Sequence, residues 1–204
     1  VHAGKWQNLD WPFERLGPLS RATMPGTLTV LCAAAGVGKS TLLLQLMRFW
    51  NNNGHKTTVR MFEDGILVHA NRLLQQIAGH RGHGDDAWVR ANAMTAREEL
   101  AESKDELDRL CALIYPEKDE VWTHDQTATW AEQQAAGGAR VIIIDPISAI
   151  KSTDKPWLDD FALSMRLKAT ATKHECSVIV ATHPRSQKSE PSLGNMAGGS
   201  AWAR

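Results

Sequence analysis

The sequence predicts an α/β fold in which a mostly parallel sheet is flanked by helices, and three observations support this prediction. Short, apolar, β-branched runs occupy 27–32, 57–62, 141–144 and 177–182. Longer stretches with the composition or spacing of apolar helix faces lie between them, as at 42–50 and 66–78. The apolar runs end in glycine-rich or polar residues, which is typical of parallel strands that deliver functional groups to one edge of a sheet.

The segment 33–41 joins the first predicted strand to the first predicted helix. It matches the phosphate-binding pattern G-x-x-x-x-G-K-[ST], except that Ala33 replaces the first glycine, where we expect a negative φ. Gly36 and Gly38 permit backbone dihedrals that let N–H groups surround a polyphosphate. A chance match in an alanine-rich loop is the alternative, but the flanking strand and helix are the context that this motif requires.

This P-loop predicts binding of ATP and Mg²⁺. Lys39 would place its ammonium group on the β- and γ-phosphates, the Ser40 hydroxyl would bind Mg²⁺, and the helix N-terminus would add its dipole. The residues predicted to surround the nucleotide are Ala34, Ala35, Gly36, Val37, Gly38, Lys39, Ser40 and Thr41.

Acidic residues follow two further predicted strands. Glu63 and Asp64 come directly after 57–62, and Asp145 comes after the four β-branched residues 141–144. Because parallel strands end at the same edge, Glu63 and Asp145 should lie near the phosphates. Glu63 is then placed to orient or deprotonate the attacking water, although a solvated acid at a strand end is the alternative. Asp145 is placed to hold Mg²⁺, the arrangement called Walker B.

Three histidines lie just beyond predicted elements. His183 follows the strand at 177–182 and is placed to touch the γ-phosphate, with a histidine merely satisfied at a strand end as the alternative. His80 and His83 lie in the glycine-rich segment 79–86, where their spacing suggests a metal site. Because no cysteine or further ligand cluster accompanies them in the sequence, an exposed loop is the preferred interpretation.

The stretch between the second and third apolar runs predicts helices. We expect the helix at 66–78 to carry Leu67 on its apolar face. One or two charged helices are expected over 86–114, with the acidic residues forming a solvated face. Their apolar stripe is predicted to comprise Leu100, Leu107, Leu110, Cys111 and Ile114. The segment 120–122 has the composition of a short strand, and 127–136 that of a further helix.

Bulk composition limits the function only weakly. With 23 basic and 23 acidic residues the formal net charge is zero, so charge gives no indication of a nucleic-acid or membrane partner. The three cysteines are odd in number and lack metal spacing, which predicts buried free thiols in a reducing cytosol. The sequence contains no signal peptide and no apolar stretch long enough to span a bilayer, so we expect a soluble, cytoplasmic protein without a membrane partner.

Four segments match one known family in order. They are Gly36-Val37-Gly38-Lys39-Ser40, Phe62-Glu63-Asp64, Ile144-Asp145-Pro146-Ile147-Ser148, and Thr182-His183-Pro184-Arg185 with the later Gly198-Gly199-Ser200-Ala201. From about Trp11 onward the chain resembles the RecA-like ATPase core of hexameric replicative helicases, the DnaB-like group that includes phage primase-helicases and the mitochondrial helicase Twinkle. The resemblance implies a RecA-like ATPase domain over 27–204, preceded by a lead-in arm over 1–26.

The resemblance also implies roles for individual residues. The acid matching Glu63 activates water, and the residue matching His183 senses the γ-phosphate, so Lys39, Glu63 and His183 are the expected catalytic residues. Loops matching 148–155 and 185–197 line a central channel for single-stranded DNA in the family. The expected nucleic-acid contacts are therefore Lys151, Lys155, Arg185 and Lys188.

The same resemblance implies ATP and Mg²⁺ as cofactors, a homo-oligomeric ring, expected to be a hexamer, and a bacterial or phage-infected cell. The family's arginine finger lies beyond the position of Arg204, and a further strand would normally follow there, so we expect a domain truncated at its C-terminus. Two other classes remain open: a RecA/KaiC/RepA-type ATPase without helicase activity, and a module that binds nucleotide to assemble a ring.

Overall fold

A computed structural model describes residues 8–17, 22–115 and 121–184. The elements in chain order are β1 (Leu28–Cys32), α1 (Lys39–Asn52), β2 (Thr57–Met61), α2 (Ile66–Ala78), α3 (Asp86–Ala91), α4 (Ala93–Cys111), β3 (Ile114–Tyr115), α5 (His124–Ala136), β4 (Val141–Asp145), α6 (Pro156–Lys173) and β5 (Ser177–Thr182). Short 3₁₀ turns occupy Gly82–Gly84 and Ile147–Ala149.

The five described strands form one parallel sheet in the order β1-β5-β4-β2-β3. The predicted α/β fold with a parallel sheet flanked by helices is therefore confirmed. In this order β5, the last of the described strands along the chain, lies between β1 and β4. All strands point the same way, so the segments that follow β1, β2, β4 and β5 meet at one edge.

Both faces of the sheet are buried, which explains why β4 is apolar without alternation. Ile142 and Ile144 face a core that includes Leu163 and Leu167 of α6. Val141 and Ile143 face the other core, to which α1, α2 and α4 also contribute side chains. Each face contributes side chains that are almost fully excluded from water, so helices must cover both.

Part of the predicted lead-in arm lies over α1. The indole Nε1 of Trp50 donates a hydrogen bond to the backbone oxygen of Asp10 at 2.7 Å, and Trp11 packs edge-on against the same ring at 5.6 Å. Leu9 is 5% exposed and belongs to the same core. The division of the chain at residue 26 stays a prediction.

The helical predictions need three corrections. Ile114 forms the short strand β3, because the helix before it ends at Cys111. Leu67 is 82% exposed, since it lies in the first turn of α2, at the sheet edge, and is not covered by the described residues. Leu100 is 46% exposed and does not belong to the inward stripe of α4.

The inward stripe of α4 contains two carboxylates where an apolar stripe was predicted. Its buried positions include Ala96, Ser103, Leu107 and Leu110. The partly covered Glu99 and Glu106 follow the same spacing. Glu106 pairs with Arg48 of α1 at 2.8 Å, and this hydrogen bond lowers the pKa of Glu106. Glu99 contacts His80 and His83. The prediction that the acidic residues of this helix form a solvated face is therefore wrong for these two.

The cysteines also differ in part from the prediction. All three are free thiols, but only Cys176 is buried, whereas Cys32 and Cys111 are half-buried. Burial raises the pKa of each thiol. Among the helices that are described, none is both long and apolar enough to cross a bilayer.

Candidate active site

The P-loop follows β1 and leads directly into α1. Gly36 and Gly38 have φ values of 75° and 96°, in the left-handed region that side chains other than glycine rarely adopt. Gly38 is the N-cap of α1, and its carbonyl accepts the backbone N–H of Leu42 at 2.9 Å. Among the described residues other than glycine, a positive φ occurs only at Glu175. Ala33 therefore has a negative φ, as expected. The loop therefore has the backbone that a phosphate cradle needs.

Lys39 is buried and is held by the loop that precedes it. Its ammonium group donates hydrogen bonds to the carbonyls of Ala33 at 2.8 Å and Ala34 at 2.9 Å. The Nδ1 atom of His183 lies 3.1 Å from the same Nζ. Burial lowers the pKa of Lys39, and the nearby carboxylates of Asp145 and Glu63 oppose this shift. The positive charge of Lys39 is thus held against the P-loop backbone.

His183 links Lys39 to Glu63. Because an ammonium group only donates, Nδ1 of His183 must be the acceptor, and a neutral ring then carries its proton on Nε2. That Nε2 atom lies 3.5 Å from Oε1 of Glu63. Strand order explains the arrangement in part, because β5 lies beside β1, which leads into the P-loop, and only β4 separates β5 from β2, after which Glu63 follows.

Asp145 and Ser40 form the candidate Mg²⁺ site. Asp145 ends β4 and is 2% exposed. Burial raises the pKa of this carboxyl, while a hydrogen bond from the Ser40 hydroxyl opposes the shift. A buried carboxylate beside a hydroxyl is an all-oxygen donor set of the kind that Mg²⁺ prefers, so the two side chains fit the ion.

The two acids after β2 have different surroundings. Asp64 accepts a hydrogen bond from Arg72 of α2 at 2.7 Å, and its backbone oxygen is 2.9 Å from Nε2 of the buried His69. The side chain of Glu63 is 52% exposed and faces His183. Asp64 is therefore held by a cation of α2, whereas Glu63 faces the side chain that follows β5.

These side chains surround one cavity of about 270 Å³. Its lining comprises Ala35, Gly36, Gly38, Lys39, Ser40, Thr41, Glu63, Asp64, Arg72, Asp145 and His183. Two residues predicted to surround the nucleotide, Ala34 and Val37, belong to the P-loop without lining the cavity, and Val37 is 63% exposed at the loop tip. We refer to Lys39, Ser40, Glu63, Asp145 and His183 together as the phosphate edge.

Arg72 is a cavity residue that the sequence analysis missed. It lies eight residues after Asp64, in the second turn of α2, and its side chain reaches back to Asp64 at the end of the preceding strand. A basic residue in the second turn of the helix that follows this strand was the available sequence signal. Its ion pair with Asp64 places a guanidinium group at the mouth of the cavity.

Lys151 and Lys155, the described part of the predicted nucleic-acid surface, lie in the segment that follows β4. Both are exposed. The segment is less polar than predicted, because Ile147 and Ile150 are buried beneath it, and a parallel bridge joins Lys151 to Thr123. Lys151 lines a separate cavity of about 460 Å³ with Arg166. Arg185 and Lys188 lie outside the described residues.

One protein family matches most of the chain. The family is described as an AAA domain, and the match covers residues 2–189. The chain belongs to this family. Membership confirms the prediction of an ATPase. The predicted domain bounds 27–204 and the roles of the individual residues stay predictions. A comparison with curated proteins finds no match.

Solved structures of similar fold include a helicase and a separate ATPase domain. A DnaB-like replicative helicase, solved in a study of its interactions with primase, superposes with a TM-score of 0.70 at 17% identity, covering 86% of this chain and 44% of that chain. The ATPase domain of a second protein superposes with a TM-score of 0.62, also at 17% identity, covering 86% of this chain and 65% of that one. The predicted resemblance to RecA-like helicase cores is thereby confirmed for the fold. This AAA-family chain spans less than two thirds of either protein.

Proposed function

We propose that the chain is the ATP-hydrolysing motor domain of a DnaB-like replicative DNA helicase, which translocates on single-stranded DNA as a homo-oligomeric ring in the cytoplasm. The observation that carries the proposal is the phosphate edge. There His183 contacts Lys39 on one side and Glu63 on the other, and Asp145 lines the same cavity. The ring, expected to be a hexamer, and the DNA partner come from the similarity to the DnaB-like helicase.

The proposed mechanism assigns one task to each side chain. Backbone N–H groups of the P-loop hold the phosphates of ATP, and Lys39 leaves the carbonyls of Ala33 and Ala34 to pair with the β- and γ-phosphates. Ser40 and Asp145 would hold Mg²⁺, which when bound neutralises charge that develops on the phosphates. Glu63 orients the attacking water and accepts its proton.

His183 is proposed to report the state of the γ-phosphate. Its Nδ1 atom accepts a hydrogen bond from the ammonium group of Lys39 at 3.1 Å. A γ-phosphate competes for the same ammonium group, so ATP binding frees the ring to contact the phosphate itself. The chain that continues from His183 carries Arg185 and Lys188, two of the proposed DNA contacts. Nucleotide state would thereby alter DNA affinity.

The proposed DNA contacts are few in each subunit, namely Lys151, Lys155, Arg185 and Lys188. Because the net charge is zero, one domain is expected to bind single-stranded DNA weakly. A ring sums the contacts of several subunits on one strand, which raises the affinity without any new kind of contact.

Fluorescence anisotropy of a labelled single-stranded oligonucleotide tests the proposal. We expect binding that requires Mg²⁺ and a non-hydrolysable ATP analogue, that weakens with salt, and that is lost in Lys39→Ala. The pair Lys151→Ala with Lys155→Ala should reduce the slope of log affinity against log salt by about 0.7 for each phosphate contact removed. Arg185→Ala with Lys188→Ala should do the same.

A matched control removes the same charge elsewhere. Lys104 and Lys173 are exposed and pair with Asp108 and Glu132 on outer helices, so their double alanine variant should keep the wild-type slope. Intact ATP binding without nucleotide-dependent DNA binding would replace the helicase proposal with a RecA-type ATPase of another task.

A further inference from the structure

His80, His83 and Glu99 form a compact cluster outside the phosphate cavity. His80 follows α2, His83 lies in the 3₁₀ turn Gly82–Gly84, and Glu99 projects from α4. Nε2 of His80 is 3.1 Å from each carboxylate oxygen of Glu99, and Nε2 of His83 is 2.7 Å from Oε2. Two imidazole nitrogens and one carboxylate therefore converge, with their ligand atoms all within 4.8 Å of one another. We call these three residues the imidazole cluster.

Packing holds the imidazole cluster in place. The side chain of His83 is 5% exposed, and those of His80 and Glu99 are 35% and 26% exposed. The two imidazole rings stack at 5.4 Å, and the Trp88 indole contacts both, at 4.8 Å and 5.5 Å. A Cβ atom at Gly82 would lie 2.5 Å from that indole, so the absence of a side chain there lets Trp88 cover the rings.

We propose that the imidazole cluster binds a divalent transition-metal ion, with Zn²⁺ the ion best matched to its donors. Two imidazoles and one carboxylate are ligands that Zn²⁺ takes, with water completing a tetrahedral set, whereas Ca²⁺ and Mg²⁺ prefer oxygen ligands alone. The ion would replace the Nε2 protons that now lie between the imidazoles and Glu99. It would fasten the segment after α2 to α4. This site is independent of ATP hydrolysis.

One hydrogen bond sets the expected strength of the site. The backbone N–H of Gly82 donates to Nδ1 of His80 at 3.0 Å, so a neutral ring of His80 carries its proton on Nε2. Coordination through Nε2 moves that proton to Nδ1, and the Gly82 bond must then break. Strong sites instead let the second ring nitrogen donate to an acceptor. We therefore expect micromolar rather than nanomolar affinity.

The imidazole cluster is partly exposed through two of its members. The side chains of His80 and Glu99 are 35% and 26% exposed, and His80 also lines a cavity of about 330 Å³ with Arg48, Gln76 and Arg81 among others. We therefore expect an ion to reach these two side chains without unfolding of the helices. The neighbouring arginines disfavour an approaching cation, which is a second reason to expect moderate affinity.

Titration of Zn²⁺ into the metal-free 204-residue chain, in competition with a chromophoric chelator, tests the proposal. We expect one saturable equivalent whose affinity falls at least about tenfold in His83→Ala and in Glu99→Gln. At a hundredfold excess over Kd the melting temperature should rise by roughly 5–10 °C. His55→Ala is the matched control, because His55 lies in the turn after α1, and this variant should bind as the wild type does.

The amide resonance of Gly82 gives a second readout. In an NMR titration it should shift as Zn²⁺ saturates the site, because its hydrogen bond to His80 is lost. Absence of one-equivalent binding by the wild-type chain, or equal affinity in Glu99→Gln, overturns the proposal. If His83→Ala does not fold, Glu99→Gln decides the question, since it preserves the size of the side chain and removes only its charge.

Discussion

The phosphate edge and the imidazole cluster both join residues that are distant in the sequence, but they are built in different ways. At the phosphate edge, four parallel strands end together, and each is followed by one or two of the side chains. The position of each side chain depends on its own strand and not on the residues that follow the other strands. The imidazole cluster depends on a particular helix, α4, turning one carboxylate toward a glycine-rich turn. The comparison teaches that backbone topology places the first set of groups, whereas individual side-chain packing places the second.

The two regions should also respond oppositely to mutation. Groups of the phosphate edge are proposed to serve hydrolysis, so replacing them should remove activity without loss of stability. Groups around the imidazole cluster are satisfied by one another and covered by Trp88, so replacing them should cost stability and leave turnover unchanged. Three substitutions examine this contrast.

The largest effect is expected from Glu63→Gln. Loss of the general base should lower kcat by about a hundredfold or more, with ATP binding retained, in a steady-state phosphate-release assay. Asp64→Asn is the matched control, because Asp64 is held by Arg72 at 2.7 Å and should have a much smaller effect on kcat. A loss in Asp64→Asn without one in Glu63→Gln would transfer the base to Asp64.

An intermediate effect is expected from Gly82→Ala. The added methyl group would meet the Trp88 indole at 2.5 Å and must displace it from His80 and His83. We expect the free energy of unfolding to fall by about 1–3 kcal/mol, as for overpacking in general, with kcat unchanged. Urea denaturation measures the first quantity and the ATPase assay the second. Gly17→Ala, where a Cβ atom meets nothing within 4 Å, should be close to neutral; equal stability of the two variants would contradict the packing argument.

The smallest change in stability is expected from Asp145→Asn, and it is a gain. Burial raises the pKa of Asp145 above the unfolded value of 3.8, so the folded state holds the proton more tightly. As the pH rises from the unfolded pKa through the folded one, ionisation of this carboxyl therefore destabilises the wild type, and the full penalty remains at neutral pH. Asparagine does not ionise and avoids it.

We accordingly expect Asp145→Asn, without nucleotide, to melt roughly 2–4 °C higher than the wild type at pH 7, the shift that about 1 kcal/mol produces in a domain of this size. The difference should disappear as the pH falls below the unfolded pKa, while Mg²⁺-dependent hydrolysis is lost throughout. Calorimetry across this pH range measures the effect. A lower melting temperature at pH 7 would mean that the hydrogen bond from Ser40 outweighs burial.

The comparison also shows where sequence analysis succeeds. The meeting of the P-loop, Glu63, Asp145 and His183 at one edge was predictable because each directly follows a run of apolar residues, and parallel strands share an edge. That prediction needs no knowledge of strand order. The link from Lys39 through His183 to Glu63 does need it, because the link depends on β5 lying beside β1 with only β4 between β5 and β2.

The wrong predictions for α4 and for the two histidines have a common cause. The spacing of apolar residues along a helix does not determine which side chains from distant segments will pack against it. Leu100 was assigned to the apolar stripe of α4 because of its residue type, but Glu99 occupies the inward position at that level. A carboxylate is tolerated there only because His80 and His83 provide partners, and these partners lie 19 and 16 residues away in the sequence, respectively. The same distance hid the contact with Glu99 from the prediction of an exposed loop at the two histidines, which is wrong for His83, whose side chain is 5% exposed.

The position of one imidazole has a consequence for how activity can change under selection. The ring of His183 contacts Lys39 through one nitrogen and Glu63 through the other. In the proposed mechanism, affinity for nucleotide and speed of turnover therefore depend on the same rigid group. Substitutions on either side of the ring should therefore be non-additive, each altering the effect of the other. A substitution selected for its effect on nucleotide affinity would then also change the turnover rate, so the two properties would evolve together.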